Sequence, residues 1–362
     1  MKNTFGQSVT VTLFGESHGE EIGAVLDGLT PGISVDEDFI RHQLSLRRPA
    51  KDGLSTPRAE ADEFRIVSGV FQGKTTGTPL CILIPNTNTK SKDYPRGMLR
   101  PGHADYTAEC KYHGFQDYRG GGHFSGRITA ALVAAGAIAI SALRKSGILI
   151  GTHIARLADV SDRQMQPTEA DIEALSDLNF PVLDAVASER MKARILSAAQ
   201  EGDSVGGVLE TVVLGVPAGV GEPWFDSVEG VLSHALFSIP AIKGVEFGDG
   251  FGFATLTGSR ANDPMRLRDG EIYTATNRNG GINGGITNGM PILFRCAVKP
   301  TPSISREQES VDLSTMQETL LSVHGRHDPA IIHRARVVVD SITALALYDL
   351  LAQRYGTDFA EI

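Results

Sequence analysis

Apolar and polar residues alternate at Val9, Val11 and Leu13, and short apolar runs bounded by Gly, Pro or Asn recur along the chain. This period of two predicts strands over residues 9–14, 22–26, 80–84, 148–154, 208–216, 252–256 and 291–298. A helical period, with capping residues at its starts, predicts helices over 36–48, 126–145, 168–175, 188–201, 226–237 and 338–355. Ser188 is the candidate cap of the fourth, which stops before Gly202. Residues 128–143 carry no charge but are short and Ala-rich for a membrane span, so a buried helix is expected there. Hairpin-like strand pairs precede long helices with no regular alternation. The expected fold class is therefore α+β, as a single domain over 1–362.

Composition narrows the function. A net charge of −9 excludes a broad nucleic-acid surface, so any anion must be gripped locally. Cys81, Cys110 and Cys296 have no metal-ligand spacing and read as reduced thiols of a cytoplasmic protein with no membrane segment. The start of the chain lacks a continuous apolar run of the signal-peptide kind. Two familiar motifs fail on spacing. Gly69–Thr75 (GVFQGKT) has three residues where a P-loop needs four, and 202–207 (GDSVGG) has one residue too many for a serine-protease loop. Pro329 breaks the helix that would align His324, His327 and His333, so no metal site is expected.

Forty glycines concentrate in a few loops, above all 118–127 (YRGGGHFSGR) and 277–291 (NRNGGINGGITNGMP). Four polar clusters carry the candidate chemistry. His18 lies in GESHG after a strand, a setting suited to a proton donor, and His103 lies two residues from Asp105 in RPGHADY, where the pair could equally cap a helix beginning at Ala104. Ser125 and Arg127 open the long apolar helix, where free N–H groups favour an anion. The fourth cluster is HGRHDPA, with Arg326, His327 and Asp328. Arg41, Arg47, Arg48, Lys51 and Arg58 form a basic run that reads either as a solvated face or as an anion pocket.

Taken together, GESHGEEIGAVLDGLTPG, RRP, GKTTGTP, RPGHADYT, YRGGGHFSGR, GDSVGG, IPAIKGVEFGDGF, NGGINGGITNG, KPTPSI and GRHDP resemble the chorismate synthase family, in order and over nearly the whole chain. That resemblance implies a homotetramer with a β-α-β sandwich core of antiparallel sheets and flanking helices. It implies a 1,4-anti elimination of phosphate from 5-enolpyruvylshikimate 3-phosphate, giving chorismate for aromatic amino acid biosynthesis, with FMN required in its reduced form. By the same resemblance Arg48 and Arg127 hold substrate anions, and Arg47 falls at a nicotinamide-dinucleotide (NADP) contact. His123, Phe124, Ser125, Pro240, Ala241, Gly284, Lys299, Pro300, Thr301, Pro302, Ser303 and Arg326 cradle the flavin. His18 protonates the departing phosphate, His103 lies by flavin N1, and Asp328 is relayed with Ser17 and Ser125. The chain departs from the family's usual loop in having His123 and Phe124 for Arg and Ser, Gly126 for Ala and Ile128 for Glu, and Asp340 replaces a usual glutamate. The rival reading is a flavin oxidoreductase acting on a small anionic metabolite; no strand followed by G-x-G-x-x-G supports it.

Overall fold

The computed structural model describes residues 2–50, 52–56, 60–87, 96–323 and 328–360. Five strands, β1 (Thr4–Phe5), β2 (Thr10–Gly15), β3 (Glu21–Asp27), β4 (Arg65–Ser68) and β5 (Leu80–Pro85), form an antiparallel sheet in the order β1-β2-β3-β5-β4. A second antiparallel sheet joins β6 (Leu149–Leu157), β7 (Val160–Ser161), β8 (Gly207–Leu214), β9 (Ile242–Phe247) and β10 (Ile292–Val298) in the order β9-β10-β8-β6-β7. The helices are α1 (Glu37–Arg47), α2 (Asp105–Tyr112), α3 (Thr129–Lys145), α4 (Glu169–Ser176), α5 (Ala185–Gln200), α6 (Val228–Leu236), α7 (Gly258–Ala261) and α8 (Ile332–Tyr355).

Helices α3 and α8 pack against each other between the sheets, α3 on β3 and β5 and α8 on β6 and β8. An α+β sandwich results, as expected. The uncharged run explains α3: a helix apolar all round needs cover on every side, and Ala134, Ala135, Ala137 and Ala139 are fully buried. By length and composition the stretch Gly126–Lys145 could cross a membrane, yet most of it is buried inside the protein. At the crossing with α8, a Cβ on Gly136 would sit 2.3 Å from Ser341 Cβ, so only glycine permits this approach. Asp340 accepts from Thr152 Oγ1 at 2.6 Å and Arg336 at 3.3 Å, while burial pushes its carboxyl up. On the other face of the second sheet, Met165, Ile172 and Leu175 meet Val212. Nearby, His153 lies 2.8 Å from Asp162 and 3.3 Å from Glu210.

Two expectations need correction. Residues 252–256 form no strand: Gly250–Thr255 is a 3-10 turn, with Gly250 at φ 54° and Phe251 exposed. Helix α5 is capped by Asp184, not Ser188, because Asp184 accepts the Ala187 N–H at 2.7 Å while Ser188 already lies inside the helix. The P-loop look-alike is a hairpin, Val70–Phe71 paired with Lys74–Thr75.

Candidate active site

The glycine run is the hub of the site. Gly120, Gly121 and Gly122 take left-handed φ values of 59°, 82° and 53°. A Cβ on Gly120 would lie 2.2 Å from His18 Cε1 and 2.9 Å from Ser17 Oγ, and one on Gly121 would lie 3.1 Å from His103 Cε1. Candidate side chains from two segments more than 80 residues apart in sequence, Ser17 with His18 and then His103, thus converge on backbone that carries no side chain. The Ser17 N–H donates to Gly122 O at 3.1 Å, joining the loop after β2 to the run. His123 Nδ1 lies 2.8 Å from Gly15 O, so it is the protonated nitrogen. Phe124 is exposed and meets the Tyr112 ring edge-on at 6.0 Å. Ser125 caps the turn Gly126–Ile128, its Oγ accepting the Arg127 N–H at 3.2 Å.

The arginines are held by carboxylates that sequence reasoning did not single out. Arg127 donates through Nη1 to Asp62, through Nη2 to Glu60 at 3.0 Å and to Pro85 O at 3.1 Å, and through Nε to Asn86 Oδ1 at 2.9 Å. The other Asp62 oxygen takes Arg47 Nη2 at 3.1 Å. Burial pulls the Arg47 guanidinium down to about 10, with Asp62 opposing it. Burial alone would raise the Asp62 carboxyl, but Arg47 and Arg127 outweigh it and hold Asp62 below its ordinary value. Arg48 Nη1 donates to Ala61 O at 2.6 Å.

Asp328 accepts from Arg334 Nη1 at 2.9 and 2.8 Å and from the Thr56 N–H at 2.9 Å. Arg334 Nε in turn donates to Arg47 O at 2.8 Å, tying Asp328 to the arginine cluster. Ser17 Oγ is buried without a hydrogen-bond partner among the described residues, so Asp328, Ser17 and Ser125 are not joined by direct hydrogen bonds. His333 binds Ser55 at 2.9 Å, and burial holds its imidazole down at about 4. Arg326 lies outside the described residues, as do His324, His327, Lys51 and Arg58.

The remaining segment packs onto the His103 turn. Lys299 Nζ donates to Gly102 O, and a Cβ on Gly102 would stand 3.2 Å from Pro302. Lys299 N–H donates to Ala241 O at 3.0 Å, where Ala241 follows Pro240 with φ 77°. Gly206 abuts Pro300, and Ser204 Oγ donates to Thr301 O at 2.7 Å; Thr301 Oγ1, just ahead of half-buried Ser303, is buried with no hydrogen-bond partner among the described residues. Gly284 stands apart, in an exposed turn whose hairpin bonds to Pro217, Val220 and Val228. His103 borders a cavity of about 600 Å³, whose walls include Leu99, Asp105, Gly121, Phe124 and Val323.

Residues 9–352 match the family model described as chorismate synthase. Among curated proteins, the chorismate synthase of Dehalococcoides mccartyi is 47% identical over 97% of this chain and 96% of its own. Those of Pyrococcus abyssi and Thermococcus kodakarensis are 47% and 45% identical, each over 96% of this chain and 97% of their own. A crystal structure of a chorismate synthase superposes with a TM-score of 0.78 at 30% identity, covering 98% of this chain and 95% of that one.

Proposed function

Because the chain belongs to the chorismate synthase family, we propose that it is a lyase that eliminates phosphate from 5-enolpyruvylshikimate 3-phosphate to give chorismate, with reduced FMN as cofactor. The observation that carries the reading is the convergence of Ser17, His18 and His103 on Gly120 and Gly121. The residues present fit a planar, polar-edged cofactor. Buried Ser17 Oγ and Thr301 Oγ1 have hydrogen-bonding capacity to spare, the glycine run offers a wall without side chains, and a cavity of about 600 Å³ is of ligand size. His123, Ser125, Ala241 and the segment 299–303 would hold it, together with Arg326. When bound and reduced, such a flavin supplies electron density to an allylic centre and takes no part in the net oxidation balance.

The protein's own groups divide the rest of the work. His18 holds a proton for the departing phosphate oxygen, since a leaving phosphate gains charge as its bond breaks. Arg48 and Arg127 face a substrate with a phosphate and two carboxylates, and the neutralised Arg47–Asp62–Arg127–Glu60 cluster keeps the guanidiniums ordered before it arrives. Asp328, fixed by Arg334 and the Thr56 N–H, holds a carboxylate in one orientation for proton movement. Glycine and apolar walls exclude water. The same reading makes the protein a cytoplasmic homotetramer of single-domain chains; exposed Trp224, Phe225 and Phe251 support association between subunits. The test is anaerobic phosphate release from the substrate with reduced and with oxidised FMN. Many phosphates per reducing equivalent, and none with oxidised FMN, are expected; a fixed one-to-one ratio would show a net oxidoreductase instead.

A further inference from the structure

The turn from Arg100 to Asp105 is built around one carboxylate. Asp105 Oδ2 accepts the Arg100 backbone N–H at 2.9 Å and Nε at 2.8 Å, while Oδ1 accepts Arg100 Nη2 at 2.7 Å. The guanidinium thus meets the carboxylate as a fork, the geometry that best fixes both groups. Oδ1 has a further lone pair, and His103 Nδ1 lies 2.9 Å from it. A carboxylate only accepts, so Nδ1 must donate, although Arg100 Nη2 also stands 3.1 Å from that nitrogen. Burial raises the Asp105 carboxyl, but the bonds from Arg100 and His103 outweigh it and hold Asp105 well below the usual carboxylate range. The opposite edge of the ring faces the glycine run: the Cβ position of Gly121 is 3.4 Å from His103 Nε2.

We propose that Asp105, clamped by Arg100, is a positioning residue for His103: it takes the Nδ1 proton and leaves Nε2 turned toward Gly121 and the adjoining cavity. The step beyond capping is specific. The helix that follows has Ala104 as its cap residue, with no side-chain cap bond, so the Asp105 carboxylate serves the turn and the imidazole, not the free N–H groups of α2. The two sides of the ring are thereby made unequal. Nδ1 is committed to the protein, and Nε2 is the nitrogen left for chemistry. This is the base-and-orienter arrangement known from unrelated hydrolytic sites, where an isosteric amide in place of the carboxylate selects the wrong tautomer.

The catalytic consequence rests on the function proposed above, so the experiment has one arm that does not. Imidazole 15N spectra are recorded on the ligand-free protein near neutral pH, with His103→Gln identifying the His103 signals. The wild type should carry its neutral-ring proton on Nδ1. Asp105→Asn should move it toward Nε2, and in the anaerobic phosphate-release assay should lower kcat by about a hundredfold or more, the loss expected when a proton-transferring imidazole holds the wrong tautomer, with KM changed far less. If Asp105→Asn does not fold, Arg100→Lys keeps the charge but loses the fork, and should disturb the tautomer and lower kcat about tenfold. An unchanged tautomer in the folded variant overturns the proposal, as does a changed tautomer with wild-type kcat. Failure of the function itself looks different: wild-type protein would release no phosphate while the spectra still respond to Asp105→Asn.

Discussion

Gly120→Ala separates the roles of the glycine run most sharply. The added methyl would begin 2.2 Å from His18 Cε1, 2.3 Å from its Nδ1 and 2.9 Å from Ser17 Oγ. Unstrained carbon contacts start near ~3.5 Å, so the imidazole must retreat by about 1 Å. The backbone contributes separately: φ is 59°, and an L-residue there costs roughly 1–2 kcal/mol. The stability loss should therefore be modest, since the ring is the movable end of a side chain. A misplacement of about 1 Å at a reacting group costs on the order of a hundredfold in rate, equivalent to about 2.7 kcal/mol of transition-state stabilisation. The assay pairs anaerobic phosphate release with urea unfolding. Gly126→Ala is the control, because beyond its chain neighbours no atom of the described residues lies within 4 Å of its Cβ position and its φ is not left-handed. Turnover of Gly120→Ala within threefold of wild type, or an equal loss in Gly126→Ala, would refute the reasoning.

His18→Ala should lower kcat by about 10² to 10⁴ while flavin affinity, read by fluorescence titration, stays near wild type; unchanged turnover removes His18 as the general acid. Asp62→Asn leaves Arg47 and Arg127 buried without their shared counter-charge and should cost about 3–5 kcal/mol in urea unfolding, since asparagine tolerates the φ of 53° at that position; a loss below ~1 kcal/mol would show that the guanidiniums are satisfied without it. For His153, burial lowers the imidazole but Asp162 and Glu210 outweigh it and raise it above its ordinary 6.5. Its contribution to stability is therefore complete below the unfolded value and declines as pH rises through the folded one. Asp162, lowered by His153 and three backbone N–H groups against the effect of burial, behaves oppositely and loses its share as pH falls below about 4. His153→Gln should flatten the alkaline limb of urea midpoint against pH, and an unaltered limb assigns it elsewhere.

The elements legible in the sequence were those whose physics is local. The Val9, Val11, Leu13 alternation marked β2 because one face is buried, and the uncharged run marked α3 because nearly all of it is. Residues 252–256 misled for the converse reason: an apolar run with exposed Phe251 has no partner strand, and apolarity alone does not specify pairing. Strand β4 escaped notice because its RIVS is a mostly exposed edge, and β9 because Lys243 and Gly244 interrupt it. The first turns of α8 hide behind His333, Arg334 and Arg336, polar residues made buriable by Ser55, Asp328 and the carbonyls of Leu175 and Leu178. The same limit governed the site. His18, His103 and the glycine run announced themselves by composition, whereas Asp62 and Arg334 sit in unremarkable sequence and acquire partners 65 and 287 residues away, Arg127 and the Arg47 carbonyl.

One clasp described by neither sheet alone bears on how the chain is made. Asp349, buried near the end of α8, accepts the backbone N–H groups of Gln7, Ser8 and Val9 at 2.8 to 3.2 Å. The turn that leads into β2 is thus fastened by a residue translated some 340 positions later. Helix α3, meanwhile, has no partner for its second face until α8 emerges. At about 5–20 residues per second, that face of α3 waits on the order of 10 to 40 seconds with apolar surface uncovered. Native closure therefore waits for α8, and a nascent chain stalled before it is a client for chaperones.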